Sequence, residues 1–372
     1  MHLVLAAADS RDSLKRELSQ AFSGPVREQL PGLFHVELAP ESEANRPHLV
    51  FARQFLPDAR EVRAPSIRTW AELLVDAVAG VLPDGEPWAL HVFPFEEVAA
   101  GSRLGARAWH SRTRKAKPAV APAEPTQRGA GGTRCRMIRE AVVELLQKRR
   151  RHLGRALRHG EAPFFENEAL LQLVLTSAET GYLSLAPAPL PFQMRHAISC
   201  FAGGNVTLAV DKQAPSRAFA KLVEAEARMG RRIGARETCV DLGASPGSFT
   251  YVAAQRGARV TAVDRSELRE DLMRHPRVRF ERADAFRFAP GTPVDWLLCD
   301  VIARADRSAE LLSHWLRERW CDHFVVTLKL DDEGGEAALT SLERDLSALA
   351  SEHWLLKLSA NKKEVCAFGS RS

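Results

Sequence analysis

The stretch Thr238-Cys239-Val240-Asp241-Leu242-Gly243-Ala244-Ser245-Pro246-Gly247-Ser248-Phe249-Thr250 decides the fold of this chain. An apolar strand leads into a glycine-rich turn, and a helix begins after the turn. Gly243 and Gly247 allow backbone conformations that other residues avoid, and they allow a ligand to approach the backbone closely. The free N–H groups at the start of a helix favour an anionic group. We therefore expect a ligand-binding loop at the carboxyl end of a buried strand.

Strand and helix patterns alternate around this loop, from about residue 213 to the end of the sequence. Besides 238–242, apolar segments predict strands near 259–263, 278–281, 294–300, 322–329, 353–358 and 364–368. Alternation of this kind predicts an α/β domain with a doubly wound, Rossmann-like sheet. In such a sheet the ligand crevice lies at the carboxyl ends of the strands.

Acidic residues in and after the loop favour S-adenosylmethionine over a dinucleotide. Asp241 precedes the turn in the pattern D-L-G-x-x-P-G, where its carboxylate repels a pyrophosphate and suits an ammonium group. Asp241 and Pro246 therefore disfavour an NAD-dependent oxidoreductase. Asp264 ends the next strand and suits the ribose hydroxyls, and Asp284 ends the following one and suits the adenine amino group. The predicted cofactor contacts are Asp241, Gly243, Ala244, Ser245, Pro246, Gly247, Ser248, Phe249, Asp264, Asp284 and Asp300.

Two lysines and two carboxylates occupy unusual positions around this loop. Lys329 interrupts the apolar run 324–330, and a strand interior is a costly place for a lysine unless its charge is paired or used. Asp300 ends another apolar strand, Glu364 begins the last one, and Lys221 lies on the helix before the cofactor loop. We expect these four side chains to share one pocket.

This combination resembles the FtsJ-like RNA ribose 2′-O-methyltransferases. Their K-D-K-E tetrad matches Lys221, Asp300, Lys329 and Glu364, and their cofactor motif is similar to D-L-G-A-S-P-G at 241–247. Similarity to the RlmM group, which methylates a cytidine ribose in large-subunit ribosomal RNA, extends over 51–59, 215–225, 299–301, 315–316, 320–321 and 328–330. The resemblance covers most of 210–370 well and the first half of the chain loosely.

The resemblance implies S-adenosylmethionine-dependent 2′-O-methylation of a cytidine in 23S ribosomal RNA, either naked or as a precursor. Lys329 would be the general base, and Lys221, Asp300 and Glu364 would orient it. A lysine accepts a proton only when its pKa falls well below about 10.4, and burial or a second cation lowers it. The alternative is a catalytically silent RNA-binding protein that keeps the fold. Gly247-Ser248, where many relatives have two glycines, and the acidic stretch 331–336 depart from the family pattern.

The sequence before the methyltransferase-like region predicts three further parts. Residues 1–104 indicate a small α+β, ferredoxin-like domain, and 105–134 form a linker or loop rich in proline, alanine, glycine and basic residues. By resemblance, 135–208 would be a THUMP-like RNA-binding region, leaving 209–372 as the methyltransferase domain. A basic cluster at 148–151 with Arg155 and Arg158 is either a solvated helix face or a phosphate-contacting surface.

Composition agrees with a folded protein that has a polyanionic partner. The formal net charge is +5, and 45% of the residues are hydrophobic. The six cysteines are scattered without a C-x-x-C pair, which excludes a disulfide framework and a zinc motif, so we expect no metal and a cytoplasmic location. Residues 1–8 indicate a first strand rather than a signal peptide. No apolar run approaches the roughly 18 residues that span a membrane, and oligomeric state is left open.

Overall fold

The computed structural model describes residues 1–7, 9–37, 49–95, 132–158, 167–189, 197–206, 208, 211–330 and 335–372. The described residues up to 206 form one compact unit, and those from 208 onward form a second. Most of the predicted linker 105–134, and residues 331–334 of the acidic stretch, lie outside the described residues.

The described part of the first unit contains a sheet in the order β2-β3-β1-β4 and a sheet in the order β5-β8-β7-β6. The first sheet consists of β1 (His2–Ala6), β2 (Arg27–Leu30), β3 (Leu33–Val36) and β4 (Ala52–Leu56), with helix α1 (Arg11–Ala21) between β1 and β2. The second consists of β5 (Arg60–Arg63), β6 (Trp88–Pro94), β7 (Ala169–Leu175) and β8 (Thr180–Ala186), with helices α2 (Ile67–Ala79), α3 (Thr133–Arg149) and α4 (Arg151–Ala156).

Helices α2 and α3 bury apolar side chains in the core of the second sheet. The Ser66 side chain accepts a hydrogen bond from the N–H of Thr69 at 3.1 Å and so caps α2. Trp70 and Leu74 of α2 are buried in the same core as Ile138 of α3. Helix α3 ends at Arg149 and α4 begins at Arg151, so the two helices are separated at Arg150.

The second sheet joins strands from both sides of the predicted linker. β6 precedes it and β7 follows it, and the two pair in parallel from Trp88 opposite Ala169 to Pro94 opposite Leu175. Both strands are apolar and mostly buried, and each supplies the hydrogen bonds that the other needs. The structure therefore differs from the predicted division into separate domains at 1–104 and 135–208, because strands from both ranges belong to one sheet.

The second unit is built on a seven-stranded sheet in the order β11-β10-β9-β12-β13-β15-β14. Its strands are β9 (Thr238–Leu242), β10 (Arg259–Asp264), β11 (Val278–Arg282), β12 (Val294–Cys299), β13 (Cys321–Lys329), β14 (Ala350–Leu356) and β15 (Glu364–Arg371). Its helices are α5 (Phe219–Met229), α6 (Ser248–Gln255), α7 (Glu270–Met273), α8 (Ala305–Arg317) and α9 (Gly335–Leu349). All seven strands predicted for this region are confirmed, as is the Rossmann-like fold.

The topology of this sheet determines where a ligand can bind. β11, β10, β9, β12 and β13 run parallel, and β15 inserts antiparallel between β13 and β14. The strand order reverses between β9 and β12, and ligands of such sheets bind at the carboxyl ends beside this reversal. The structure thus places the glycine-rich loop after β9 at the expected crevice.

Several further properties of the chain are visible in the structure. All six cysteines are free thiols. Within the described ranges, no three or more His, Cys, Asp and Glu side chains are grouped to hold a metal ion. None of the helices in those ranges has the length and apolar character needed to cross a membrane.

Candidate active site

Lys221, Asp300, Lys329 and Glu364 form one connected cluster of charges. The Nζ atom of Lys221 donates to Oδ1 and Oδ2 of Asp300 at 2.9 and 3.1 Å and lies 3.0 Å from Oε2 of Glu364. The Nζ atom of Lys329 lies 3.4 Å from the same Oδ1 and donates to the same Oε2. Each carboxylate therefore bridges both lysines, and we call these four side chains the tetrad.

Four different elements bring the tetrad together at the carboxyl edge of the sheet. Asp300 follows β12, and Lys329 ends the parallel neighbour β13. Because β15 is antiparallel to β13, its first residue Glu364 pairs with Lys329 in the register of the two strands. Lys221 lies in the first turn of α5, on a stretch whose neighbours Leu222 and Val223 are buried.

The two lysines differ in exposure and in electrostatic environment. The Lys221 side chain is 6% exposed and that of Lys329 is 21% exposed. Burial acts to lower the pKa of Lys221, but the charges of Asp300 and Glu364 outweigh it, and the pKa is raised above its usual value. Burial acts to raise the pKa of Glu364, but the hydrogen bond from Lys329 and the charge of Lys221 lower it. Lys221 and Glu364 are thus held as a buried ion pair, and Lys329 is the more accessible amine.

Two glycines shape the loop between β9 and α6. Gly243 has φ = +70°, and a Cβ there would lie 2.8 Å from Cα of Val301, the residue after Asp300. Gly247 has φ = +109°, and a Cβ there would overlap the side chain of Leu272. A side chain is therefore excluded at both positions by the backbone conformation and by neighbouring protein atoms.

The remaining loop residues fix the loop to its surroundings. The Ser245 N–H donates to Oδ2 of Asp264 at 3.0 Å, and the carbonyl of Pro246 accepts from the N–H of Arg269 at 3.1 Å. The hydroxyl groups of Ser248 and Ser216 share a hydrogen bond of 2.7 Å. Ala244 and Phe249 are buried. The loop is thus held in one conformation by contacts with neighbouring protein groups.

Asp241 is more deeply enclosed than the sequence suggests. The residue is 1% exposed, and its Oδ2 accepts from the N–H of Thr250 at 2.9 Å and from the hydroxyl of Thr250 at 2.6 Å. Burial raises the pKa of Asp241 to about 7, the hydrogen bonds from Thr250 oppose this, and the charges of Asp300 and Asp264 add to it. The contact of Thr250 with Asp241 was not predicted from the sequence, although a hydroxyl residue in the first turn of a helix is a signal for such a contact.

Asp264 is the last residue of β10, as predicted, whereas Asp284 follows the end of β11 by two residues. Oδ1 of Asp264 accepts from the N–H of Ser266 at 2.8 Å. Oδ1 of Asp284 accepts from the N–H of Phe286 at 2.9 Å, and its Oδ2 contacts Arg265 at 2.6 Å. These two contacts lower the pKa of Asp284, the one with Phe286 most. Both residues are therefore fixed carboxylates along the same edge of the sheet.

Part of the second unit is similar to known proteins. Residues 214–326 match the family model described as FtsJ-like methyltransferase. The protein named "Ribosomal RNA large subunit methyltransferase M" of Xylella fastidiosa (strain 9a5c) is 44% identical over 126 residues, which are 32% of this chain and 35% of that protein. The protein of the same name from Halorhodospira halophila is 43% identical over 143 residues, 35% of this chain and 42% of that protein. That of Alkalilimnicola ehrlichii is 37% identical over 202 residues, 51% of this chain and 53% of that protein.

These alignments span about a third to a half of the length of each relative. The match to the family model includes Lys221, Asp300 and the motif at 241–247, and it ends before Lys329 and Glu364. Residues 214–326 are therefore similar to the FtsJ-like methyltransferases.

Proposed function

We propose that this chain transfers a methyl group from S-adenosylmethionine to the 2′-hydroxyl of a ribose in large-subunit ribosomal RNA. The observation that carries the proposal is the tetrad, in which Asp300 and Glu364 each bridge Lys221 and Lys329. It lies at the carboxyl edge of a Rossmann-like sheet, directly beside the glycine-rich loop. The names of the similar proteins, large-subunit ribosomal RNA methyltransferases, support the same substrate class.

The charges around the loop fit S-adenosylmethionine, whose ammonium and sulfonium groups are both positive. Asp241, Asp264 and Asp300 lie close enough for the last two to raise the pKa of the first. A cationic ligand relieves this repulsion, whereas a pyrophosphate would increase it. We propose that Asp264 and Asp284 hold the ribose and adenine ends, and that residues 243–249 surround the amino-acid end. Since Thr250 occupies one oxygen of Asp241, Asp241 contributes mainly through its negative charge and by supporting the loop.

The tetrad supplies the proton chemistry. Bound S-adenosylmethionine provides an activated methyl group. Lys329 Nζ would accept the proton of the ribose hydroxyl, so that the sugar oxygen could take the methyl group that S-adenosylmethionine would supply. Lys221 keeps its proton, because Asp300 and Glu364 favour its charged form. The positive charge of Lys221 therefore offsets both carboxylates throughout the reaction. The two carboxylates orient the amine of Lys329.

We propose that the first unit binds the RNA, as the resemblance to a THUMP-like region implies. Helices α3 and α4, with the residue between them, carry exposed guanidinium groups at Arg149, Arg150, Arg151 and Arg155. Clustered exposed arginines suit successive phosphates of an RNA strand. The proposed target is a cytidine of 23S ribosomal RNA in the cytoplasm.

Incubation with S-adenosylmethionine labelled in its methyl group and with unmethylated ribosomal RNA tests the proposal. The RNA is digested to nucleosides, and the labelled product is identified by mass spectrometry. We expect 2′-O-methylcytidine. Label on a base would contradict ribose chemistry, and tight RNA binding without label transfer would support a catalytically silent RNA-binding protein instead.

A further inference from the structure

Ile302 is a large apolar side chain left in solvent beside the tetrad. It is 92% exposed, more than any other large hydrophobic residue in the part of the chain that the structure describes. The next most exposed, Val81, is 58% exposed and belongs to the first unit. A single exposed apolar residue is ordinary on a protein surface. Its position in the fold is what distinguishes Ile302, because it follows Asp300 by two residues.

The segment that carries Ile302 is fixed on both sides. Before it, the Asp300 N–H donates to the carbonyl of Leu242 at 3.3 Å, and Val301 lies against Gly243 of the cofactor loop. After it, Arg304 forms a parallel bridge with Lys329. Ile302 therefore lies on the short connection from β12 to α8, which contacts the glycine-rich loop through Val301 and the Lys329 end of β13 through Arg304. A substrate whose hydroxyl reaches Lys329 must come close to this connection.

We propose that Ile302 is a positioning residue that contacts the base of the nucleotide whose ribose is methylated. This inference rests on the proposed function. When the 2′-oxygen of a nucleotide lies at Lys329, the base of that nucleotide lies close by, because the base and the 2′-hydroxyl belong to the same nucleoside. RNA bases presented in single-stranded regions are held by stacking and apolar contacts, and an isoleucine offers such a contact without selecting by hydrogen bonds. Covering Ile302 with the base also removes water from the edge of the tetrad.

Substitution of Ile302 tests this contact, because only the kinetic parameters for RNA should change. Ile302→Ala should raise the KM for RNA or lower kcat/KM about tenfold, since a lost apolar contact of this size is worth about that factor. Ile302→Leu should retain most of the activity. The dissociation constant for S-adenosylhomocysteine and the melting temperature should not change, because the side chain makes little contact within the protein. Val81→Ala is the matched control, an exposed apolar residue in the other unit.

A synthetic RNA that lacks only the base of the mapped target nucleotide distinguishes a base contact from other effects. With the wild-type chain, loss of the base should lower kcat/KM about as much as Ile302→Ala does. With Ile302→Ala, loss of the base should add little, because the two changes remove the same contact. Fully additive effects would overturn the proposal, and so would a lowered melting temperature with unchanged kinetics. Failure of the wild-type chain to methylate any ribose would instead overturn the proposed function.

Discussion

Lys329 and Glu364 are cross-strand partners at the point where β13 ends and β15 begins. The amine of one donates to the carboxylate of the other, so the ion pair lies at the edge of the sheet where the substrate is proposed to enter. A parallel neighbour would bring its carboxyl end, rather than its first residue, to this edge. The antiparallel insertion of β15 is therefore what allows the start of the last strand to take part in the same site as Asp300.

Replacement of Lys329 by alanine should abolish most methyl transfer while leaving the cofactor loop intact. A positioned general base typically contributes about 10²- to 10⁴-fold to a rate, and we expect kcat to fall within this range. The dissociation constant for S-adenosylhomocysteine, measured by calorimetry, should change little. An active Lys329→Ala variant would contradict the role of Lys329 as the base.

Replacement of Lys221 by methionine should lower both activity and stability. Its amine is almost completely buried and balances two carboxylates, and breaking a buried ion pair on one side costs about 3 kcal/mol. Urea unfolding measures this loss of free energy of unfolding. Lys212→Met, at an exposed lysine of the same unit, is the control and should leave the unfolding curve in place. Equal curves for the two variants would show that the Lys221 ion pairs do not stabilise the fold.

Substitution of Gly243 by alanine should weaken cofactor binding. The added Cβ would meet the backbone of Val301, and relief of this contact displaces either the loop or the segment after Asp300. Gly230→Ala is a matched control, because Gly230 also has a positive φ, +65°, but has no other atom within 4 Å of the added Cβ. We expect Gly230→Ala to cost stability of about 1 kcal/mol without changing the affinity for S-adenosylhomocysteine. Similar affinities for both variants would contradict a close fit at Gly243.

The buried carboxyl of Asp241 predicts a pH dependence of stability. Its pKa is about 7 in the folded chain and 3.8 as the ordinary value. Between these values the folded chain keeps a proton that the unfolded chain has lost, so a rise in pH favours unfolding. The free energy of unfolding should fall by about 4 kcal/mol from pH 4 to above pH 7 through this group alone.

Urea unfolding at several pH values, compared between the wild type and Asp241→Asn, isolates this effect. The variant should become more stable relative to the wild type as the pH rises. Asp295→Asn is a control with the opposite sign. Burial acts to raise the pKa of Asp295, but the hydrogen bonds from Thr238 outweigh it and the pKa is lowered. Its ionised form therefore stabilises the fold above the ordinary pKa, and its removal should cost stability at neutral pH. Parallel pH profiles for the wild type and Asp241→Asn would contradict the prediction.

Lys329 could be picked out of the sequence because it violates a local expectation, and the resemblance to the K-D-K-E tetrad joined it to Lys221, Asp300 and Glu364. A lysine inside the apolar run of β13 is costly unless it is paired, and its two carboxylate partners account for it. The antiparallel register that joins Lys329 to Glu364 could not be predicted, since it depends on pairing between distant segments. The burial of Asp241 was missed for the same reason, because the exposure of a strand residue depends on the helix packed above it.

The first unit shows where sequence patterns mislead about domain boundaries. The stretch rich in proline, alanine and glycine suggested two separate folds, one on each side of it. Yet β6 and β7 pair along their whole length in one sheet. Composition identifies a connection between elements, but it does not show whether the elements on its two sides pair with each other.

Removal of the basic side chains at Arg149, Arg150 and Arg151 should weaken RNA binding in a salt-dependent manner. Each lost phosphate contact lowers the slope of log affinity against log salt concentration by about 0.7 to 0.9. For the triple alanine variant, the magnitude of this slope should therefore be smaller by about 2 than for the wild type. Filter binding between low and moderate salt measures the slope. A triple variant at the exposed Arg60, Arg63 and Arg68 controls for net charge. Equal slopes for both variants would place the RNA elsewhere on the protein.

In the proposed reaction the tetrad methylates a ribose with Lys329 as the general base. Mapping of 2′-O-methyl groups on 23S ribosomal RNA tests it most directly, in cells that have the gene, that lack it, or that carry only Lys329→Ala. We predict one ribose, that of a cytidine, that is methylated with the wild-type gene and unmethylated in the other two strains. A methylation map that is identical in all three strains would contradict the account.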